Sequence, residues 1–228
     1  MLLGLSGAFG TGKTTVSLLL QKRYWIRTRF AAPLKRMCAI AGMSPKQYDG
    51  TIADKEEPFF LHIKPATAAK MVAVLTGHQD AQRRKLVDPL LGITPDWAEE
   101  ILLDILNTPG PTTPRRVMQL LGTEFGRNIS PTLWVDLWKR EIIPLVIEGA
   151  KVVVDDVRFD NEYHAIANLG GFVIRMESPD QERKDDASTH ASEQGCPCHY
   201  VLYNSKNSLA ELEKSLSALL EKIGVDHA

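Results

Sequence analysis

The chain has 228 residues, with 27 basic and 28 acidic side chains and a formal net charge of −1. That balance excludes a global cationic field of the kind that drives non-specific nucleic-acid binding, and the length suits one α/β domain with insertions. Three cysteines (Cys38, Cys196 and Cys198) do not suggest a disulfide framework, which fits a reducing cytoplasm, and no apolar run is long enough to span a bilayer.

Taken in order, Met1 to Leu5 reads as a short buried strand. It lacks a basic leader and a cleavage site, so it is not expected to be a signal peptide. Behind it stands Gly7-Ala8-Phe9-Gly10-Thr11-Gly12-Lys13-Thr14, which matches G-x-x-x-x-G-K-[ST], and a helix-forming run from Thr15 to Arg23 follows. Trp25 to Phe30 reads as a second strand, ended by Ala31-Ala32-Pro33. From Leu34 to about Gly149 the pattern is mostly helical, broken at glycines and prolines; Ala66 to Leu75 and Trp97 to Leu106 show helical spacing, with Thr94 or Asp96 as cap of the second. Lys151 to Val154 is a β-branched run suited to a central parallel strand. A helix from Asn161 to Leu169, strands over Phe172 to Met176 and Tyr200 to Tyr203, and an amphipathic helix from Leu209 to Ile223 complete the chain. Strands separated by helices imply a three-layer α/β fold with a parallel sheet of about five strands, whose ligands sit at the carboxyl ends of the strands.

The glycine-rich stretch states its chemistry most clearly. Its glycines let successive backbone N–H groups turn toward one anion, and the following helix adds the positive end of its dipole. Lys13 can then neutralise the β and γ phosphates of a nucleoside triphosphate, and the Thr14 hydroxyl can ligate Mg²⁺. Gly7 through Thr14, with Thr15, are therefore the expected triphosphate contacts. Val152 to Arg158 is a buried strand ending in two acids and an arginine. Asp156 is the first choice to hold the metal, directly or through water, because Asp155 can point into the helical layer and strand alternation opposes both facing the ion. Capping of a neighbouring turn is the structural alternative for Asp155.

A second constellation runs from Pro114 to Arg127. Arg116, Gln119, Thr123 and Arg127 fall at near-helical spacing, and Arg115 shares a face with Gln119. Arginines grip phosphates bidentately, though these could equally be solvated surface charges.

Phe30-Ala31-Ala32-Pro33-Leu34-Lys35, then Pro114-Arg115 through Arg127 with Trp134, then Asp156-Val157-Arg158-Phe159 with Asn161-Glu162, and His190-Ala191-Ser192-Glu193, occur in this order behind the phosphate loop. In this the chain resembles the bacteriophage deoxynucleoside monophosphate kinases across nearly its whole length. The resemblance implies a P-loop, nucleoside monophosphate kinase-like fold that moves the γ-phosphate of ATP onto a deoxynucleoside monophosphate. It implies one kinase domain, with a core of 1–32, 150–176 and 200–228, a helical substrate-binding insertion over 33–149 and a lid over 177–199. Residues 66–106 have no clear counterpart in that pattern.

On this resemblance Arg127, Arg158 and Arg115 hold the acceptor phosphate, while Gln119, Thr123, Glu124 and Trp134 line the nucleoside pocket. Trp134 either stacks on the base or is a core aromatic beside Leu133 and Leu137. Lys35 reaches the acceptor or merely starts a helix, and Asn161 and Glu162 orient Arg158. In the lid, Arg183 is expected on the transferring phosphoryl group, with Lys184 weaker and His190 and Glu193 without an assigned role. Asn204 is placed near adenine at the end of the last strand. Cys196-Pro-Cys198-His199 lacks the usual zinc spacing. The expected partners are ATP, deoxynucleoside monophosphates and Mg²⁺, with no stable nucleic acid and no membrane; a homodimer is compatible with that reading. The rival readings are a P-loop kinase for another small acceptor, and an ATP- or GTP-driven switch or nucleic-acid motor subunit.

Overall fold

The computed structural model describes residues 1–77, 87–89, 91–179, 196–206 and 208–224. The chain divides into two compact units, Met1–Phe30 with Lys139–Ala228, and Ala31–Trp138.

The first unit is built on a five-stranded, wholly parallel sheet of β1 (Leu2–Ser6), β2 (Ile26–Thr28), β3 (Val152–Val154), β4 (Phe172–Glu177) and β5 (Tyr200–Tyr203), in the order β2-β3-β1-β4-β5. β1 is central because all five of its residues are buried, as befits a strand covered on both faces. On one face Leu3 and Leu5 join Val16 and Leu20 of α1 (Lys13–Lys22) and Leu212 and Leu216 of α10 (Leu209–Lys222) in one core. On the other face α9 (Asp160–Asn168) lies so close that a Cβ on Gly4 would meet Ile166 Cδ1 at 2.6 Å. The expected three-layer parallel α/β fold is what forms.

Two boundaries differ from the sequence pattern for local reasons. Helix α1 starts at Lys13 rather than Thr15, because left-handed Gly12 turns the chain straight into it. Strand β2 is only three residues long. Trp25 remains tied to the helix end through its N–H on Leu20 O at 3.2 Å, and the Phe30 N–H has left the ladder for the Asp156 carboxylate.

The second unit is helical, holding α2 (Ala32–Ile40), α3 (Pro45–Asp49), α4 (Ile52–Glu56), α5 (Pro65–Thr76), α6 (Pro95–Leu106) and α7 (Pro114–Gln119), and the start of α8 (Leu133–Ile147). Its core gathers Met37, Met71, Leu75, Leu102, Leu121 and Phe125. Of the two caps offered for α6, Thr94 serves: its hydroxyl accepts the Trp97 N–H at 3.2 Å, and Thr113 does the same for Arg116 at the head of α7.

The sequence spacing treats α7 as running on in α-helical geometry through Arg127. The structure instead widens Leu120–Arg127 into a π-helical segment. Such segments shift side chains around the axis and recur at functional sites. Two glycines sit inside it. At Gly126 a Cβ would meet the Trp134 indole at Cε2, 2.6 Å away, so the ring packs on bare backbone. The Trp134 N–H donates to Gly122 O at 2.9 Å.

Candidate active site

The carboxyl edge of the sheet places the loop of the first unit. β1 ends at Ser6, and Gly7, Gly10 and Gly12 then take φ values of 121°, 79° and 100°. These angles suit glycine and strain other residues. A Cβ on Gly7 would also collide with the Met176 carbonyl oxygen. Thr11 is 1% exposed and folds inward, its hydroxyl donating to Ala8 O at 2.9 Å. Ala8, Phe9, Gly10 and Thr14 are exposed and Thr15 half-buried, so the loop presents its backbone to solvent.

Lys13 donates from Nζ to Gly7 O at 2.6 Å and to Ala8 O at 2.7 Å. Its pKa is lowered from the ordinary 10.5 to about 8, first by burial and then by Arg158, with partial opposition from Asp155 and Asp156. The structure thus brings Arg158, Asp155 and Asp156 within electrostatic reach of Lys13. Val157 N–H donates to Leu5 O at 3.2 Å, which levels the two acids with the start of the loop.

The two acids have different partners. Asp155 is buried and accepts from Ser17 Oγ at 3.1 Å, from Arg27 Nε at 2.7 Å as well as Arg27 Nη2, and from Arg29 Nε at 2.9 Å. It does face the helical layer, through Ser17 of α1. Asp156 is half-buried and its Oδ1 accepts the Phe30 N–H at 2.8 Å. Arg27 and Arg29 were not singled out in the sequence, although their spacing of two along a strand gives them a common face.

Arg158 is exposed just beyond β3. Buried Glu162 holds its backbone, accepting the Arg158 N–H at 2.7 Å and the Phe159 N–H at 3.1 Å. At the far side of the loop Asn204 is 9% exposed and donates from Nδ2 to Thr11 O at 3.1 Å.

In the second unit the arginine-bearing segment has its own pairings. Arg115 Nε meets Glu56 Oε1, and Arg116 Nη1 donates to Glu124 Oε1 at 2.6 Å. Lys35 pairs with Asp49. Thr123 and Glu124 are exposed, and Gln119 and Arg127 half-buried. Of the two readings for Trp134, core packing is the one observed: it is 5% exposed. Cys38 lies in the same core, and burial pushes its thiol up to about 12.

Arg183, Lys184, His190 and Glu193 lie outside the described residues. His199 accepts the Val173 N–H at Nδ1, 2.9 Å away, and stacks on Tyr163 at 5.0 Å. Burial raises the Cys196 thiol. Among the described residues no three His, Cys, Asp or Glu side chains gather as a metal cage, and no helix is long and apolar enough to cross a membrane.

A glycine-rich phosphate loop between the central strand and first helix of a parallel sheet, with acids and an arginine at the neighbouring strand end, defines a P-loop nucleotide-binding protein. The sequence profile of the deoxynucleotide monophosphate kinases matches residues 1–223. The chain belongs to that family, and it is a phosphotransferase, a nucleotide monophosphate kinase. It is 30% identical over 206 residues to a putative deoxynucleotide monophosphate kinase of Acanthamoeba polyphaga mimivirus, covering 85% of this chain and 80% of that one. It is 24% identical to the deoxynucleotide monophosphate kinase of Enterobacteria phage T4, covering 96% and 98% of the two chains. Among solved structures, TT1252 from Thermus thermophilus aligns over 98% of this chain and 97% of that one, at 17% identity and a TM-score of 0.43.

Proposed function

We propose that ATP is the donor, seated on Gly7 through Thr15, and that a deoxynucleoside monophosphate is the acceptor. Supporting this is the Lys13 site: an ammonium beside an exposed backbone loop, with Arg158 and two carboxylates in reach. Lys13 neutralises the β and γ phosphates. Arg127, Arg158 and Arg115 hold the acceptor phosphate, Lys35, Gln119, Thr123 and Glu124 flank it, and Arg183 meets the transferring group. Trp134 supports the π-helical backbone beneath these residues instead of stacking on the base. The domain plan assigns phosphate chemistry to the sheet core, acceptor binding to the helical insertion over 33–149, and the lid to 177–199.

Mg²⁺ suits this donor set. Thr14 offers a hydroxyl and Asp156 a carboxylate, both hard oxygen ligands, whereas Asp155 is engaged by two guanidiniums and Ser17. The ion would neutralise charge on the phosphates when bound. This chain's own residues do the rest: the loop fixes the donor, arginines fix the acceptor, and Lys13 and the guanidiniums stabilise the transferring charge. No strong general base is needed, because the acceptor is already an anion.

The test is ADP release from ATP and Mg²⁺, measured with each deoxynucleoside monophosphate in turn beside its ribose counterpart. A kinase gives little ADP until one acceptor is added. ADP release that ignores every monophosphate, or that DNA stimulates, would sink the proposal in favour of a switch or motor.

A further inference from the structure

Asn204 lies just past β5, where the adenine of a bound nucleotide was expected. Both polar atoms of its side chain have partners within the chain. The backbone N–H donates to Glu177 O at 2.7 Å, which continues the β4–β5 ladder by one rung beyond the Glu177–Tyr203 pair. The side-chain Oδ1 accepts the Lys206 N–H at 3.1 Å, closing a local turn in which Lys206 takes a φ of 59°. The remaining group, Nδ2, donates to Thr11 O at 3.1 Å in a buried bond that spans 193 residues of sequence. This amide orientation satisfies both ends; a flipped one would set oxygen against oxygen at Thr11 and N–H against N–H at Lys206.

The same amide packs on Gly12. A Cβ there would stand 2.6 Å from Nδ2, so a side chain at position 12 would displace the bond as well as strain a φ of 100°. Thr11 and Gly12 immediately precede Lys13. The sheet edge is therefore braced, through one side chain, against the residues that aim the ammonium.

We propose that Asn204 is a positioning residue that holds the phosphate loop in its anion-accepting shape, and that it does not read the base. The inference rests on the loop being a triphosphate site. It gives the β5–α10 junction a role in donor affinity that is indifferent to which base the donor carries.

The probe is inorganic tripolyphosphate, which has no base. Its affinity is measured by calorimetry beside those of ATP and GTP for wild type, Asn204→Ala and Asn204→Asp. Both variants should weaken all three ligands in parallel by about tenfold or more, the size expected for leaving one buried carbonyl unpaired. Asn204→Asp should lose more, since it sets a carboxylate against the Thr11 carbonyl. It keeps the side-chain shape and the Lys206 contact, so it carries the test if the alanine variant fails to fold. The acceptor KM should stay at its wild-type value while the ATP KM rises, a split that general loosening of the protein would not give. Tripolyphosphate affinity within about twofold of wild type overturns the proposal, whether or not ATP binding falls; a selective loss for ATP would return Asn204 to the base. Wild-type protein that binds neither ATP nor tripolyphosphate would instead remove the phosphate-loop reading itself.

Discussion

The phosphate loop of the first unit and the arginine-bearing segment of the second, proposed above as the donor and acceptor sites, are built from different materials. The loop is made of backbone: three glycines at positive φ, peptide N–H groups, and one lysine whose surroundings hold it at about 8. The segment around α7 is made of side chains, and Arg115 and Arg116 each sit beside a glutamate, Glu56 and Glu124. A backbone site depends on its glycines, and here Met176 and Asn204 stand where a Cβ on Gly7 or Gly12 would lie, so those positions admit no side chain without displacement. A site of long side chains on a helix is adaptable, and its guanidiniums must exchange one carboxylate for another anion before they act. Damage to the first should therefore be severe and general, and damage to the second graded and selective.

The largest expected effect is that of Lys13→Ala. Turnover should fall by on the order of a thousandfold or more, the scale on which removal of one preorganised charge contact acts, read as ADP release with acceptor present. Retention of even a tenth of wild-type activity would break the contrast. Next, Arg127→Ala should raise the acceptor KM by about ten- to a hundredfold, from the loss of one charge-assisted contact, with ATP affinity unchanged in calorimetry. Equal losses for donor and acceptor would deny the segment its selectivity.

The pH response should be gentler. Lys13 is protonated below its pKa of about 8, so a triphosphate meets an ammonium there. Above pH 8, binding must take up a proton, and ATP affinity should fall by up to about tenfold per pH unit. Calorimetry in buffers of different ionisation enthalpy reads that proton directly. Stability without nucleotide runs the opposite way. The folded pKa lies below the unfolded value of 10.5, so the unfolded chain binds more protons between about pH 8 and 10.5, and the fold gains from this group as pH rises. Lys13→Met should flatten both slopes. The smallest effect concerns the π-helical segment. Gly126→Ala should cost about 1–3 kcal/mol in denaturant unfolding by overpacking the Trp134 ring, while leaving tripolyphosphate affinity intact.

How much was legible in the sequence follows the same division. The loop could be read because glycine spacing encodes backbone angles directly, and β1, β3 and the parallel character of the sheet, though not the order of its strands, followed from apolar runs between helices. The Asp155–Asp156 pair was visible, but its partners were not. Arg27 and Arg29 lie more than a hundred residues upstream, and nothing local tells which strand will lie beside β3. The widening at Leu120–Arg127 has no mark in the residue spacing, and the indole of Trp134 that packs on bare backbone at Gly126 comes from α8, outside the segment itself. Asn204 stood out by position, yet its hydrogen bonds follow from a sheet rung that only the folded chain supplies.

The carboxylate of Asp155, flanked by Arg27 and Arg29, has one more consequence. With Lys13 and Arg158 nearby, four cationic side chains share the carboxyl edge of the sheet with two acids, although the chain as a whole carries a charge of −1. A polyanion diffusing past a nearly neutral molecule thus meets a local field that draws it to this edge. Its arrival rate should slow as ionic strength rises and counterions shield the edge, while its departure rate stays nearly constant.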